Sequence, residues 1–244
     1  MADVVEETDA DAIARRLQVV QERIDAACRR VRRSPVDVTL IGVSKTFPIE
    51  AVYAARDAGL THFGENRVQD LVEKARELPG RIRGGGVEWS MIGHLQRNKA
   101  RDVVENADHF HALDSLRLAK ELEKGSRRSG RIMPCLVQVN ISGEASKYGL
   151  QPQETHAFLD RLASLEHIRV EGLMAMATHV DDPEAVRPEF RRMRELFDGY
   201  QHQTGSGIEM KKLSIGMSND FEVAVEEGAT HVRIGSAIFG AREA

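Results

Sequence analysis

The chain has 244 residues, of which 34 are lysine or arginine and 38 are aspartate or glutamate, so its net charge is −4. This length suits one or two ordinary domains or a single α/β barrel, and 41% hydrophobic and 30% charged residues are typical of a globular protein. No apolar run reaches the roughly 18 residues of a membrane span. The acidic start lacks the features of a secretory signal, and the slightly negative charge argues against a general nucleic-acid binder.

The first predicted element is a helix, because apolar residues recur at three- and four-residue steps and form one stripe. The stripe consists of Ile13, Leu17, Val20, Ile24, Cys28 and Val31, and Pro35 ends the helix. Residues 1–10 are predicted to be disordered. The two cysteines, Cys28 and Cys135, form no CxxC pair or metal-binding spacing, which favours two buried thiols in a reducing, cytoplasmic compartment.

Short apolar runs then alternate with amphipathic helical stretches along the rest of the chain. We predict strands at 38–43, 61–63, 87–92, 109–113, 134–139, 168–174, 213–215 and 231–234. Helices are expected after each, including 152–164, 183–203 and 219–227. Eight β-then-α units predict a single-domain α/β fold over 1–244, a (β/α)8 TIM barrel with an added N-terminal helix. The alternative is an open doubly wound sheet.

Two predicted strand ends resemble parts of one phosphate site. Gly216-Met217-Ser218-Asn219 follows the seventh strand, and Gly235-Ser236-Ala237 follows the eighth. Glycine lets backbone N–H groups approach an anion, helix N-termini favour negative charge, and barrels often bind phosphate at this corner. The alternative is that both segments simply form tight turns and helix caps.

Lysine is scarce, with eight residues at positions 45, 74, 99, 120, 124, 147, 211 and 212. Four of these lie in polar helical stretches, and Lys211 and Lys212 lead into a strand at the far end of the barrel. Lys45 alone is predicted inside the end of a core strand, where burial would lower its pKa and make its amine nucleophilic. It would neutralise a phosphate or form a Schiff base with a phosphorylated carbonyl compound such as pyridoxal phosphate. A structural lysine is the alternative, and Lys147 is a secondary candidate.

Arg233 lies within an apolar strand and therefore needs a partner. A barrel carboxylate would be a structural partner, and a ligand nitrogen would be a functional one. Because guanidinium donates and stays charged, a pyridine nitrogen facing Arg233 would be unprotonated and the ring a weak electron sink.

The remaining signals are weaker. Asn66 is predicted to cap the helix after the second strand. His109 and His111 share a strand face but lack a third metal ligand. His94, at a strand end, is a weak candidate for a general acid or base, and Trp89 is expected in the core.

The motifs together resemble the YggS/PROSC family of pyridoxal phosphate homeostasis proteins, from about residue 10 onwards. They are Val43-Ser44-Lys45-Thr46, Phe63-Gly64-Glu65-Asn66, Ile92-Gly93-His94-Leu95-Gln96-Arg97-Asn98-Lys99, Ser146-Lys147-Tyr148-Gly149, Gly172-Leu173-Met174, Leu213-Ser214-Ile215-Gly216-Met217-Ser218 and Arg233-Ile234-Gly235-Ser236-Ala237-Ile238-Phe239-Gly240. The segment Ala175-Met176-Ala177-Thr178-His179 departs from the proline-containing stretch expected there, and Gly84-Gly85-Gly86 is extra.

The resemblance implies an alanine-racemase-like barrel with pyridoxal 5′-phosphate (PLP) on Lys45. It implies phosphate contacts from Ser218, Gly235 and Ser236, with Ser214 nearby and Met217 contributing its backbone, and it places Arg233 at the pyridine nitrogen and Asn66 beside the ring. It further implies a protein that carries or buffers PLP, with apo-enzymes that use PLP as possible recipients.

The alternative is an amino-acid racemase, which uses a lysine and a tyrosine on opposite faces of PLP, the tyrosine from a second domain for which this chain is too short. Tyr148 is the one tyrosine at a predicted strand-end loop. We therefore expect no substantial alanine racemase activity, and we expect a monomer. An aldolase using Lys45 lacks an evident acid or base partner.

Overall fold

The computed structural model describes residues 9–200 and 207–240. Eight parallel strands close into a barrel in chain order, and β1 also pairs with β8. The strands are β1 Thr39–Val43, β2 His62–Glu65, β3 Glu88–Met91, β4 His109–Leu113, β5 Met133–Val139, β6 Ile168–Ala175, β7 Ile208–Ser214 and β8 His231–Ile234. The predicted (β/α)8 barrel is therefore confirmed, and the open sheet is excluded.

One helix precedes the barrel and one follows each strand. They are α1 Asp9–Arg30, α2 Ile49–Asp57, α3 Val68–Glu77, α4 Ala100–Asn106, α5 Leu116–Arg128, α6 Thr155–Leu162, α7 Arg187–Tyr200, α8 Phe221–Glu226 and α9 Ser236–Phe239. None of the described helices is long and apolar enough to cross a membrane. Of the start predicted as disordered, residues 9 and 10 belong to α1, and residues 1–8 lie outside the described residues.

The added N-terminal helix is present and buries its predicted stripe, apart from Val31. The helix ends at Arg30, and Arg32 takes a positive φ of 57°, so Val31 falls beyond the helix and is 38% exposed. Trp89 is fully buried as predicted, and its indole N–H donates to the carbonyl of Leu78 at 2.8 Å. Both cysteines are free and buried.

The prediction for β7 was too short, because β7 begins at Ile208 and not at Leu213. Lys211 and Lys212 therefore lie inside the strand. Lys211 is exposed, but Lys212 Nζ lies 2.7 Å from Glu171 Oε2 on β6, with both side chains largely buried. From the sequence alone, the charge of Lys212 suggested a polar segment before the strand, because its partner Glu171 lies on another strand.

Charged side chains fill the amino-terminal part of the barrel interior, in what we call the amino-end cluster: His62, Glu88, His109, Glu171 and Lys212. Glu88 lies 2.9 Å from His109 and 3.3 Å from His62, while His109 lies 3.6 Å from Glu171. The hydrogen bonds to His109 and His62 hold the pKa of Glu88 well below its usual range. Across the described part of the chain, no three His, Cys, Asp or Glu side chains are placed to hold a metal ion.

Candidate functional site

A cavity of about 570 Å³ opens at the carboxyl ends of the strands. In a (β/α)8 barrel this is the end at which functional residues gather. Seven of the eight predicted site residues line it, namely Lys45, Asn66, Met217, Ser218, Arg233, Gly235 and Ser236. The eighth, Ser214, does not. The fold therefore brings these seven residues together at one cavity, although they come from both ends of the chain.

Lys45 lies in a turn that follows β1 and not inside the strand as predicted, because β1 ends at Val43. The Phe47 N–H donates to the Ser44 carbonyl at 3.1 Å and closes this turn around Lys45 and Thr46. Thr46 has a φ of 70°, a conformation that is rare for a β-branched residue and costs roughly 1–3 kcal/mol. The half-buried Lys45 is thus carried on a strained turn at the cavity wall.

A buried ion pair supports this turn from behind. Lys74 Nζ lies 2.6 Å from Glu65 Oε1 and donates to the Ser44 carbonyl at 2.7 Å, while the Ser44 hydroxyl donates to the same Glu65 oxygen at 2.6 Å. Burial raises the pKa of Glu65, and the charge of Lys74 opposes that rise. The residue before Lys45 is therefore held by side chains of β2 and α3.

Sequence reasoning missed Lys74 by assigning it to a polar helical stretch. In α3 it is 7% exposed and shares the buried face with Val68, Leu71 and Ala75. A lysine at an apolar-stripe position needs a buried partner. That spacing is the signal that could have found it, although Glu65 itself could be identified only from the fold.

Arg233 is 4% exposed and reaches across the barrel interior. Its Nη1 donates to the Ser214 carbonyl at 2.7 Å and to the Ser214 hydroxyl at 2.6 Å, and its Nη2 donates to the Ala175 carbonyl at 2.8 Å. Burial lowers the pKa of Arg233 to about 10, and the carboxylate of Asp220 opposes this, so the group stays charged at neutral pH. A guanidinium has five N–H donors, so these three bonds do not exhaust it.

Ser214 is fully buried behind Arg233 and contributes to the cavity only through that residue. Its hydroxyl also lies 3.4 Å from Nδ1 of His111 on β4. Burial lowers the pKa of His111 well below its ordinary value, so this imidazole is neutral. Ser214 thus connects the guanidinium of Arg233 to the polar interior of the barrel.

Backbone N–H groups converge at the predicted phosphate corner. The Ser218 hydroxyl accepts from the N–H groups of Gly235 at 3.2 Å and Ala237 at 3.5 Å, and Ser236 begins α9 beside them. The Met217 N–H donates to Asp220 Oδ1 at 2.6 Å, so this donor is already engaged. The corner therefore presents hydroxyl and N–H groups of the kind that bind phosphate oxygens.

Asn66 lines the cavity and is not the helix cap that was predicted. α3 begins at Val68, Arg67 occupies the position before it, and no side chain caps that end. The prediction was wrong because the strand–helix connection is one residue longer than expected. Asn66 Oδ1 is buried without a hydrogen-bond partner among the described residues. A buried polar atom without a partner in a cavity is available to a ligand.

The rim of the cavity carries an aromatic pair. The rings of His94 and Tyr148 stack at 4.0 Å with an interplanar angle of 12°, and His94 Nδ1 lies 3.8 Å from Asp114 Oδ2. Lys147, the secondary candidate, does not line the cavity. Its Nζ lies 2.6 Å from Glu144 Oε1 and donates to the Ala177 carbonyl at 2.9 Å, which fastens the loop that carries Tyr148.

The sequence was compared with known proteins. The profile described as "Alanine racemase, N-terminal domain" matches residues 9–243. A protein of Escherichia coli named "Pyridoxal phosphate homeostasis protein" is 41% identical, covering 95% of this chain and 97% of that protein. A protein of Aquifex aeolicus with the same name is 39% identical, covering 93% and 97%.

Solved structures agree with this relationship. PipY of Synechococcus elongatus, solved with PLP bound, is 34% identical with a TM-score of 0.78, covering 93% of this chain and all of that one. The alanine racemase of Corynebacterium glutamicum is 18% identical with a TM-score of 0.69, covering 96% of this chain and 61% of that one, and shares the fold alone. The chain belongs to the alanine racemase N-terminal domain family and, within it, to the pyridoxal phosphate homeostasis proteins.

Proposed function

We propose that this chain binds pyridoxal 5′-phosphate in the carboxyl-end cavity, holds it on Lys45 as a Schiff base, and acts in intracellular PLP homeostasis and supply. The observation that carries the proposal is that one cavity unites a lysine, a buried arginine and a hydroxyl and N–H corner. Relatives of about 40% identity are named for this function, and PipY has been solved with PLP bound.

The groups lining the cavity fit this cofactor in their chemistry. The N–H groups of Gly235 and Ala237 gather at the Ser218 hydroxyl, and together they form a corner of donors suited to a phosphate monoester. Asn66 has an unsatisfied buried oxygen, and an amide can present either its oxygen or its NH₂ group to a polar substituent of a ring. Ser236 adds a second hydroxyl beside Gly235.

Each residue has a separate task in this proposal. Lys45 supplies the amine that holds the cofactor covalently, and the Ser44–Phe47 turn directs that amine into the cavity. Ser218, Gly235 and Ser236 hold the phosphate, and Met217 shapes the same corner. Ser214 orients Arg233 from behind. When bound, PLP supplies an aldehyde that condenses with primary amines.

Arg233 argues for storage and transfer and against robust catalysis. A pyridine nitrogen opposite a charged guanidinium accepts a hydrogen bond and stays unprotonated, so the ring withdraws electrons weakly. The competing function is amino-acid racemisation, which one observation favours, because Tyr148 lines the cavity. The Tyr148 ring, however, is stacked on His94 at the rim. We expect no conversion of L-alanine to D-alanine at an ordinary enzymatic rate (about 1 s⁻¹ or above).

Borohydride reduction followed by peptide mapping tests the proposal. We expect the protein incubated with PLP to gain a visible absorbance band, and reduction to leave a pyridoxyl mass on the peptide that contains Lys45. Lys45→Ala should lose both signals. The matched control Lys147→Ala should keep both, because Lys147 bonds to Glu144 and Ala177 outside the cavity. A wild-type protein without the band, or a label confined to Lys147, would contradict the assignment.

Three further expectations belong to the same proposal: a monomer, a cytoplasmic location, and apo-enzymes as recipients of PLP. The two buried free thiols support a reducing compartment. Light scattering of the loaded protein, cell fractionation, and reactivation of a PLP-free transaminase by the loaded chain test them in turn.

A further inference from the structure

The rim of the cavity contains a histidine that the proposed binding scheme does not use. His94 follows β3, lines the cavity together with Lys45, and is 40% exposed at its side chain. Its ring lies parallel to that of Tyr148 at 4.0 Å, which fixes the plane of the imidazole. The His94 ring is therefore held in one plane at the entrance of the cavity that contains Lys45, where an entering molecule would contact it.

His94 turns one ring nitrogen towards Asp114. Nδ1 lies 3.8 Å from Asp114 Oδ2, whose side chain is 13% exposed, so the two groups are close without a hydrogen bond. Within the described residues, Nε2 has no hydrogen-bond partner. Nε2 is therefore available to accept a proton from a molecule that enters the cavity.

The loop that carries Tyr148 is fastened on both sides. Gln138 Nε2 donates to the Tyr148 carbonyl at 3.2 Å, and the Asn140 amide donates to the carbonyls of Glu144 and Lys147 at 2.9 and 3.3 Å. Gly149 has a φ of 118°, and a Cβ there would approach the Asn140 nitrogen to 2.8 Å, so the turn requires glycine. Because the loop is fixed in this way, the stack holds His94 in a defined orientation.

A cofactor held through a C=N bond to Lys45 leaves when another primary amine replaces that lysine. At neutral pH such an amine arrives as an ammonium ion, since a lysine side chain has an ordinary pKa of about 10.4. An ammonium ion has no lone pair and cannot attack carbon. A base at the entrance that removes its proton would therefore speed the exchange, typically by 10²–10⁴-fold.

We propose that His94, oriented by Asp114 and Tyr148, is the base that deprotonates the incoming primary amine when PLP is handed from Lys45 to a recipient. The inference rests on the proposed function. His94 Nε2 takes one proton, the amine nitrogen bonds to the carbon that Lys45 holds, and the bond from that carbon to Lys45 Nζ breaks. The recipient nitrogen loses three protons in all, and Lys45 Nζ gains three, the last from His94, so atoms and charge balance.

Other charged groups surround this position. Lys45, Arg233 and His179 lie in the same cavity, and the groove on the other side of His94 is lined by Asp114, Arg97, Arg117 and Glu121. Asp114 lies within 4 Å of the His94 ring, so its removal should have the largest effect on the exchange rate.

The test measures release of PLP from the loaded protein to two amines of opposite protonation. Nα-acetyl-L-lysine is an ammonium ion at pH 7 and needs a base, whereas methoxyamine is a neutral amine at that pH and does not. His94→Gln should slow exchange with Nα-acetyl-L-lysine about 100-fold and leave exchange with methoxyamine unchanged. L-Alanine, run in parallel, shows whether α-amino groups or lysine side chains are the better recipients.

A control variant separates the base from a general effect of losing a stacked histidine. His156→Gln alters the other stacked histidine–tyrosine pair, with Tyr200 at 6.0 Å, and should change nothing. Equal slowing of both amines, or no slowing of either, would overturn the role of His94.

A second measurement does not depend on loading. Nuclear magnetic resonance of the cofactor-free protein should show the ring signals of His94 shifting when Nα-acetyl-L-lysine is added, and Asp114→Asn should slow exchange of the loaded protein with Nα-acetyl-L-lysine but not with methoxyamine. Ring signals of His94 that do not move with the amine, or equal slowing of both amines by Asp114→Asn, would overturn the inference, even if His94→Gln fails to fold. Failure of the wild-type chain to bind PLP would instead refute the proposed function.

Discussion

The two ends of the barrel interior are both polar, but their polar groups are satisfied in different ways. In the amino-end cluster, Glu88 and Glu171 are each within 4 Å of basic side chains from other strands. At the carboxyl end, Asn66 Oδ1 has no partner among the described residues, and two N–H groups share the single Ser218 hydroxyl. At the first end, each carboxylate is paired with side chains of the protein, which supports the fold. At the second end, a polar atom is left available to a ligand, which supports the proposed PLP site there.

The largest expected effect on stability comes from breaking the buried Lys74–Glu65 pair behind the Lys45 turn. Lys74→Met leaves Glu65 buried without its cation and should lower the free energy of unfolding by about 3–5 kcal/mol. Urea denaturation measures this loss. The double variant Lys74→Met/Glu65→Leu should recover most of the stability, because no unpaired charge remains. A double variant as unstable as the single one would show that the pair is not coupled.

At the amino end, Glu171→Gln should lower stability by about 3 kcal/mol, since Lys212 and Arg169 would lose a buried carboxylate. The amount of PLP bound at saturation should stay the same, which is the outcome that separates the two ends. Titration of the variant with PLP, followed by its visible absorbance, checks this. A variant that stays folded but binds no PLP would show that the ends are not independent.

The amino end should also govern acid stability. Burial lowers the pKa of His231 to about 3 and lowers that of His111 well below its usual range, so both are neutral in the fold but bind protons in the unfolded chain below pH 6.5. Stability should therefore fall as the pH drops below 6.5, by up to about 2 kcal/mol for His231 alone between pH 6.5 and 5. Carboxylates with lowered pKa values add a further loss below pH 4.5.

One histidine acts in the opposite direction. Burial alone would lower the pKa of His109, but hydrogen bonds to Glu171 and Glu88 outweigh it and raise that pKa, which adds stability at low pH that is lost as the pH rises. Since the pKa values of two histidines are lowered and that of one is raised, stability should still fall as the pH drops. His231→Gln should reduce the slope of the unfolding free energy against pH by the equivalent of about one bound proton. Chemical denaturation at a series of pH values measures this slope. An unchanged slope would contradict the assignment.

The smallest expected effect concerns backbone strain. Thr46→Gly should relieve the positive φ beside Lys45 and raise stability by about 1 kcal/mol, less the entropy that glycine loses on folding. Arg32→Gly relieves the same strain at the end of α1, far from the cavity, and serves as the matched control. We expect only Thr46→Gly to weaken PLP binding, measured by equilibrium titration. Equal affinities in the two variants would show that the strained turn does not orient Lys45.

The alternation of strands and helices, the barrel and the cavity corner were predictable because each depends on short stretches of chain. Ser218, Gly235 and Lys45 stand at strand ends, and topology brings strand ends together. The Lys74–Glu65 pair and the position of Lys212 inside β7 were not predictable, since each charge is explained by a partner on another element. Asn66 was misassigned because local rules for helix caps did not anticipate a cavity group.

The closing pair of the barrel has a consequence for how the molecule folds. Ile41 on β1 pairs with Arg233 on β8, so the eighth strand completes the wall that Lys45 shares with Arg233 and Ser236. Contacts between distant parts of a chain form slowly, because their loop-closure entropy must be overcome first. A partly folded chain therefore has no complete cavity, and a ligand that binds there stabilises only the closed barrel. The proposed capture of the cofactor would thus depend on closure of the barrel between its first and eighth strands.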